Sequence, residues 1–129
     1  MELIRGVPLF DGLEKRELEQ LARSFKESTF APGETIAAEG QSGVGFFVIR
    51  DGEAKVEVGG SEVRTLGPGD HFGEIALITE GPRTATVTAS SELKCYGLTP
   101  WEFRPLVQTN ASIAWKLLKA LAKQADERH

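Results

Sequence analysis

The sequence predicts an α+β fold in which helices at both ends of the chain flank a central sandwich or jelly-roll barrel of short strands. Apolar residues recur at three- and four-residue steps near the start of the chain and again after residue 110, as they do on one face of a helix. Between about residues 25 and 98, short runs with strand-like alternation are separated by Gly, Pro and Asp. At 129 residues, the chain has the length of a single domain, spanning 1–129, with its own core.

One amphipathic helix is predicted over residues 13 to 25. Asp11-Gly12 and Glu14 suit its start, because turn residues and acids are typical of helix N-termini. Its apolar positions fall on one face: Leu13, Leu18, Leu21, Ala22 and Phe25.

Glycine-containing pairs predict two hairpins in the central region. Asp51-Gly52 stands between Phe47-Val-Ile and Ala54-Lys-Val-Glu-Val, a strong signal for a two-residue hairpin. Gly59-Gly60 is predicted to close a second hairpin into Val63-Arg-Thr-Leu. Further turns are predicted at Pro32-Gly33 and Gly67-Pro-Gly-Asp.

Two helices are predicted in the last third of the chain, over about residues 100–108 and 111–127. Thr99-Pro100-Trp101-Glu102 has the residues of a capping box, with Pro at the first helical position and Glu placed to reach back to the cap. Asn110 is predicted to cap the second helix. The apolar stripe of that helix is Ile113, Ala114, Leu117, Leu118, Leu121 and Ala125.

Composition and charge exclude several classes of protein. A formal net charge of −4 argues against a nucleic-acid surface, which is normally basic. Cys95 is the single cysteine and lies in an alternating run, so we expect a buried thiol and a reducing compartment. The longest apolar runs, such as Phe46-Phe-Val-Ile, are far shorter than the ~20 residues of a membrane span. The N-terminus lacks the apolar region of a secretory signal, so we expect a cytoplasmic protein.

Residues 72–86, Phe-Gly-Glu-Ile-Ala-Leu-Ile-Thr-Glu-Gly-Pro-Arg-Thr-Ala-Thr, say most about function. Gly73 lets the backbone approach a ligand because it has no Cβ, and the short apolar turn after it exposes N–H groups that suit an anion. Arg83 offers a planar fork of donors to two phosphate oxygens. Glu74 suits a sugar hydroxyl such as a ribose 2′-OH, and Thr84 adds a hydroxyl for phosphate or base. These residues suit a small cyclic phosphate with its sugar.

The alternative to ligand binding is a purely structural role for these residues. An isolated Gly-Glu pair has little meaning, and a lone Arg on a strand is usually a solvated surface residue. The combination of Phe-Gly-Glu-Ile-Ala-Leu and Pro-Arg-Thr-Ala-Thr at this spacing is much more specific. The alternative to binding is a structural module of the same fold that does not bind ligand and dimerises through its last helix.

This stretch closely resembles the phosphate-binding cassette of cyclic-nucleotide-binding domains. That family includes the catabolite activator proteins, the regulatory subunits of cAMP-dependent protein kinase and the cyclic-nucleotide-gated channels. The resemblance covers essentially the whole chain and implies an eight-stranded antiparallel jelly roll (a double-stranded β-helix) with an N-terminal helix and two C-terminal helices. A departure occurs at Gln41-Ser-Gly-Val-Gly, where many members have Gly-Asp. Other matching segments are Val7-Pro-Leu-Phe-Asp-Gly-Leu, Phe30-Ala-Pro-Gly-Glu-Thr-Ile, Glu39-Gly and Gly67-Pro-Gly-Asp-His-Phe-Gly-Glu.

The resemblance implies a sensor that binds a cyclic nucleotide and uses no further cofactor. Arg83 and the backbone N–H groups of residues 73–76 would hold the phosphate, and Glu74 the ribose 2′-OH. The last helix, from Asn110 onward, would move toward the occupied roll and cap the base. The predicted ligand-binding residues are Phe72, Gly73, Glu74, Ile75, Ala76, Arg83, Thr84 and Ala85.

Thr84 bears on the choice of base. In family members the residue after the arginine biases this choice, and a threonine there can hydrogen-bond the guanine amino group. Threonine also occurs at this place in members that respond to cAMP. The sequence therefore favours cAMP as the ligand and leaves cGMP open.

No catalytic or metal site is predicted. His71 stands alone in the predicted roll and His129 is the last residue, which is too few ligands for a cupin-like metal site. We interpret His71 as a turn residue. No nucleophile has a base in reach, so the chain is predicted not to be an enzyme.

The last helix raises the question of partners. Lys116, Lys119 and Lys123 recur on one face, which we interpret as solvated. Trp115 could pack on the roll, join a subunit contact or cover the base. The chain ends at Arg128-His129 without a helix-turn-helix, so we expect no direct contact with nucleic acid and none with a membrane. Three interpretations stay open: a regulatory domain of a longer protein, a stand-alone sensor and a non-binding module. The partner of the last helix would be a second copy of the chain or an effector protein.

Overall fold

The computed structural model describes residues 2–38, 45–73, 77 and 85–127. Its N-terminal part consists of helix α1 (Glu2–Arg5), a 3₁₀ turn (Pro8–Phe10) and helix α2 (Lys15–Ala22). The strands are β1 (Lys26–Phe30), β2 (Thr35–Ala37), β3 (Phe46–Asp51), β4 (Ala54–Val58), β5 (Ser61–Leu66), β6 (His71–Phe72), β7 (Thr86–Ala89) and β8 (Leu93–Leu98). Helices α3 (Pro100–Gln108) and α4 (Ala111–Glu127) follow.

The eight strands of the described chain form two antiparallel four-stranded sheets. One has the order β1-β8-β3-β6 and is called here the helix-facing sheet, because the helices pack on it. The other, with the order β2-β7-β4-β5, is called the outer sheet. Every strand pair is antiparallel. The predicted α+β class, an eight-stranded antiparallel jelly roll with N-terminal and C-terminal helices, is confirmed.

Alternate residues of the helix-facing sheet belong to two different cores. Phe46 and Val48 of β3 are fully buried in a helical core, together with side chains of α2, α3 and α4. Ile49 of β3, with Leu93 and Cys95 of β8, is buried in a roll core between the two sheets. Successive strand residues point to opposite faces, so the continuous apolar run of β3 supplies both cores.

Helix α2 is shorter than the predicted helix of residues 13 to 25. It begins after Glu14, which is its N-cap, and ends at Ala22. Leu18 and Leu21 are buried on its inner face, as the periodicity predicts. Phe25 is also buried, but it follows the helix in a turn, where its N–H donates to the Ala22 carbonyl at 3.2 Å. Helix α1 and the 3₁₀ turn were not predicted, because both are shorter than the window in which periodicity can be detected.

The predicted hairpin at Asp51-Gly52 is wrong. Strand β3 pairs with β6 and β8, whereas β4 pairs with β5 and β7, so the chain changes sheets at this point. Gly52 has a φ of +91°. A Cβ at this position would lie 2.1 Å from the carbonyl oxygen of Glu92. Glycine therefore permits a close corner between the two sheets, and a local Asp-Gly signal does not distinguish such a corner from a hairpin.

The second predicted hairpin and the two further turns are confirmed. Gly59-Gly60 joins β4 to β5, with Val58 opposite Ser61. These glycines have φ values of +61° and +84°, as a two-residue type I′ turn requires. Chain reversals also occur at the predicted turns Pro32-Gly33 and Gly67-Pro-Gly-Asp.

The predicted caps of both C-terminal helices are confirmed. At the start of α3, Glu102 Oε1 accepts from the Thr99 N–H at 3.3 Å and from Thr99 Oγ1 at 2.7 Å. At the start of α4, Asn110 Oδ1 accepts from the Ile113 N–H at 3.1 Å. These bonds satisfy groups that the helices themselves leave without partners. None of the helices in the described chain combines the length and apolar character of a membrane span.

Gly52→Ala should destabilise the domain strongly, because its Cβ would overlap the Glu92 carbonyl at a backbone position with positive φ. We expect a loss of about 3–4 kcal/mol in the free energy of unfolding, measured by urea denaturation. Gly60→Ala is the matched control, since its φ is also positive but nothing lies within 4 Å of its Cβ. It should lose only ~1–2 kcal/mol. Equal losses in the two variants would contradict the sheet-corner role of Gly52.

Candidate functional site

Part of the predicted site lies in the described chain. Phe72 ends β6 in the helix-facing sheet, Gly73 follows it, and Ala85 directly precedes β7 in the outer sheet. The chain between β6 and β7 therefore passes from one sheet to the other. The predicted site residues outside the described residues are Glu74, Ile75, Ala76, Arg83 and Thr84.

Phe72 anchors the start of the predicted binding segment in the roll core. It is the Cα partner of Phe47 in the β3–β6 pair. The two rings stack with centroids 5.3 Å apart and an interplanar angle of 28°, and Phe72 is only 8% exposed. Gly73 follows with a φ of +87°, a conformation that residues with a Cβ rarely adopt. The chain thus leaves β6 through a buried ring followed by a turn that favours glycine.

Two further residues connect the same segment to different cores. Leu77 is fully buried in the helical core, with Phe103 of α3 and with Ile113 and Leu117 of α4. Ala85 is half-buried and packs against the roll core. Leu77 was not among the predicted site residues, although its apolar character in the short turn was an available signal. Its burial means that a rearrangement of this segment has to be accommodated in the core that also holds α4.

Arg64 lies on the roll-core face of the outer sheet, a placement that the sequence analysis missed. It is the Cα partner of Val56 on β4, which pairs in turn with Val87 on β7. Both valines are buried in the roll core, whereas Arg64 is exposed on the edge strand β5. Paired residues share a face, so two strand spacings put Arg64 about 10 Å from β7. Strand β7 begins shortly after the predicted phosphate-binding residues. Strand register was needed to find this placement.

A family model described as the cyclic nucleotide-binding domain matches residues 27–110. The chain belongs to this family. The match includes all eight predicted site residues and almost all of the roll.

Named relatives and a solved structure agree with this assignment. The chain is 39% identical over 93 residues to a cAMP-dependent protein kinase regulatory subunit from Yarrowia lipolytica, covering 70% of the chain and 25% of the relative. It is 34% identical over 97 residues to a cGMP-dependent protein kinase from Toxoplasma gondii, covering 75% of the chain and 10% of the relative. It therefore spans a quarter or less of these two proteins.

The solved structure is the N-terminal domain of a transcriptional regulator from Streptomyces coelicolor A3(2). It superposes with a TM-score of 0.90 at 30% identity, covering 98% of the chain and 94% of that domain. The high coverage shows that the two chains share the roll and the flanking helices.

Helix α4 of this cyclic-nucleotide-binding domain is joined to α2 by a partly buried ion pair. Lys116 Nζ lies 2.6 Å from Glu17 Oε1, and Ser112 Oγ donates to Glu17 Oε2 at 2.9 Å. Glu17 is only 9% exposed. The hydrogen bond from Lys116, followed by that from the Glu14 N–H, lowers the pKa of Glu17 from 4.5 to about 2. Glu17 is therefore charged at neutral pH and holds α4 against α2.

The exposed face of α4 differs from the predicted one. Lys116 is paired with Glu17, so the prediction of a solvated lysine face is wrong at this residue; Lys119 and Lys123 are exposed as predicted. Leu118, assigned to the apolar stripe, is 56% exposed, so that assignment is also wrong. Trp115 is 60% exposed, which leaves a subunit contact or a cover over the base as its alternatives.

The structure also shows what surrounds Cys95 and His71. Cys95 is buried as predicted, and its burial raises the pKa of the thiol to about 11, so the thiol stays protonated. His71 lies in strand β6 and not in a turn; its ring centroid is 5.6 Å from that of Phe46. In the part of the chain that the structure describes, no three His, Cys, Asp or Glu side chains group closely enough to hold a metal ion.

Glu17→Gln should lower the free energy of unfolding at neutral pH by ~1–3 kcal/mol, because a charged hydrogen-bond acceptor of Lys116 is lost. The pKa of Glu17 is lower in the folded state than in the unfolded chain, so its contribution is complete above about pH 4.5 and is lost as pH falls toward about 2. Urea denaturation across this range should show the two proteins converging in stability. Glu19→Gln on the same helix is the control. A stability difference that does not change with pH would contradict the ion-pair assignment.

Proposed function

We propose that this domain is a cyclic-nucleotide sensor that prefers cAMP, with cGMP as the second candidate ligand. The observation that supports it best is the placement of the residues at the two ends of the binding segment. Phe72 and Gly73 start the segment at the roll core, and Ala85 ends it beside the same core. The residues between them have the donors and acceptors that a cyclic phosphate and its ribose require. Family membership and the cAMP-dependent relative favour the same ligand class.

In this proposal, different groups recognise the phosphate and the sugar. Arg83 presents its planar guanidinium to two phosphate oxygens, and backbone N–H groups of residues 73–76 donate to the same anion. Glu74 accepts a hydrogen bond from the ribose 2′-OH, while Arg83 offsets the repulsion between this acid and the phosphate. The Thr84 hydroxyl contacts phosphate or base. Phe72, Ile75, Ala76 and Ala85 complete the lining of the pocket.

Ligand binding is proposed to act on helix α4. Ile113 and Leu117 of α4 are packed in the helical core, and Leu77 of the binding segment is buried in that same core. A cyclic nucleotide shifts α4 only if the shifted position binds it more tightly, since a ligand changes an equilibrium by its differential affinity. Trp115 and Leu118 are exposed apolar side chains on α4 that can cover the base after such a movement. The Glu17–Lys116 ion pair opposes any movement of α4 away from α2, because such a movement separates the two charges.

A specific observation keeps cGMP as the second candidate. Arg64 shares the roll-core face with Val56 and is exposed, about two strand spacings from β7. A guanidinium matches the two acceptors O6 and N7 of guanine, whereas adenine presents an amino group at the corresponding edge. Thr84 is compatible with either base, and the relative from Toxoplasma gondii is a cGMP-dependent kinase.

The proposed domain has no catalytic activity of its own and works in the cytoplasm. Its output passes through α4 to an effector protein or to a second copy of the chain. The competing proposal is a non-binding module that dimerises through the exposed Trp115 and Leu118 of α4. Nucleotide titration separates the two: a sensor binds nucleotide whatever its oligomeric state, whereas a module binds none, and sedimentation then shows whether it dimerises.

Arg83→Ala should weaken cAMP binding by ~2–5 kcal/mol, roughly 30- to several-thousand-fold, because the phosphate loses its main charged partner. Calorimetric titration of the purified chain with cAMP and then with cGMP measures this loss. Arg50→Ala is the control, since Arg50 forms an exposed ion pair with Glu27 at 3.3 Å and should leave binding unchanged. If Arg83→Ala binds as tightly as the parent chain, the pocket assignment is wrong. If the folded parent binds neither nucleotide, the module is favoured.

Arg64→Ala should separate the two nucleotides. We expect the affinity for cGMP to fall by ~1–3 kcal/mol, because a bidentate contact with the guanine edge is lost. The affinity for cAMP should change less than twofold. Arg50→Ala again controls for the loss of a positive charge. An equal loss for both nucleotides would indicate a general electrostatic role for Arg64 and would remove the structural argument for cGMP.

A further inference from the structure

We infer that Gly97 of β8 is a positioning residue for the nucleotide site and acts through the rings of Phe47 and Phe72. The inference rests on the proposed function, because Phe72 begins the proposed binding segment. Gly97 lies outside that segment and has no part in the predicted site. Its role follows from the space above its Cα.

Gly97 provides room for a neighbouring ring. It is not among the glycines with positive φ, so its backbone conformation is open to any residue. A Cβ at this position would lie 2.9 Å from Cε1 and 3.1 Å from Cδ1 of Phe47. A methyl group cannot approach a ring carbon so closely in a packed core, so either the ring or the strand would have to shift. The Phe47 ring therefore occupies the volume that an alanine side chain would take.

Strand order determines where the displaced ring would go. Gly97, Phe47 and Phe72 are successive Cα partners across β8, β3 and β6, so they form one row on the roll-core face. Phe72 lies on the side of Phe47 away from Gly97, with its ring stacked at 5.3 Å. Phe30 contacts the same ring edge-to-face at 5.8 Å. A ring pushed away from Gly97 is therefore pushed toward Phe72.

Movement of Phe72 affects the site because the binding segment starts at the next residue. Gly73 turns the chain out of β6 with a φ of +87°, so a shift of Phe72 also shifts the backbone of Gly73, the first residue proposed to donate an N–H to the phosphate. A binding group displaced by a fraction of an ångström loses part of its hydrogen bonding, because these bonds have narrow distance limits. Gly97 thus contributes to binding without touching the ligand.

The test combines two substitutions in the full chain. Gly97→Ala should weaken cAMP binding at least tenfold in calorimetric titration. Phe47→Leu removes the ring atoms that the new methyl group would meet, so the double variant should bind as Phe47→Leu alone does. Gly67→Ala is the matched control, because nothing lies within 4 Å of its Cβ and its φ is not positive; it should bind like the parent. Amide exchange of peptides spanning residues 73–85, without nucleotide, should be faster in Gly97→Ala and restored in the double variant.

Several outcomes would overturn the inference. Unchanged affinity in Gly97→Ala would do so, as would losses that simply add in the double variant. The Phe47 ring also borders a groove of ≈ 270 Å³ that Trp101 lines. If the ring moves into this groove, Trp101 fluorescence should change while binding and amide exchange stay the same, which also contradicts the inference. If the parent chain binds no cyclic nucleotide, the proposed function fails, and amide exchange alone decides whether Gly97 positions the segment.

Discussion

Because strands β3 and β8 are covered on both faces, each of them has to supply two cores at once. Phe46 and Val48 pack against the helices, while Ile49 of the same strand packs inside the roll. The binding segment follows this division, since Phe72 belongs to the roll core and Leu77 to the helical core. A movement of the binding segment therefore affects side-chain packing on both faces of the helix-facing sheet.

Helix α4 is held by two kinds of interaction that differ in range and in response to conditions. Ile113 and Leu117 bury apolar surface in the helical core, which is a contact of short range. The Glu17–Lys116 pair adds a directional bond between α4 and α2, and its partial burial reduces screening by salt. On the opposite side, Trp115 and Leu118 expose apolar surface. These exposed side chains give α4 a second apolar surface, which the proposed movement toward the roll would bury.

Features that depend on a few neighbouring residues could be predicted from the sequence, whereas features that depend on pairing between distant segments could not. Caps and tight turns were predicted well, since they need only a few neighbouring residues: Asn110 caps α4, and Gly59-Gly60 forms a hairpin. The hairpin prediction at Asp51-Gly52 was wrong because an Asp-Gly pair can form either a hairpin turn or a corner between two sheets. Which of the two it forms depends on which strands pair. The Glu17–Lys116 pair was not predicted from the sequence, because the two residues are 99 positions apart.

The sequence by itself determined the family, the fold class and the residue types of the binding segment, because spacing within a short motif carries that information. Only the tertiary structure placed the two residues outside the motif that enter the proposals. Arg64 reaches the roll-core face through the register of β5 with β4, and Gly97 meets Phe47 through the register of β8 with β3. Pairing between strands distant in sequence depends on the packing of the whole domain, which no local pattern records.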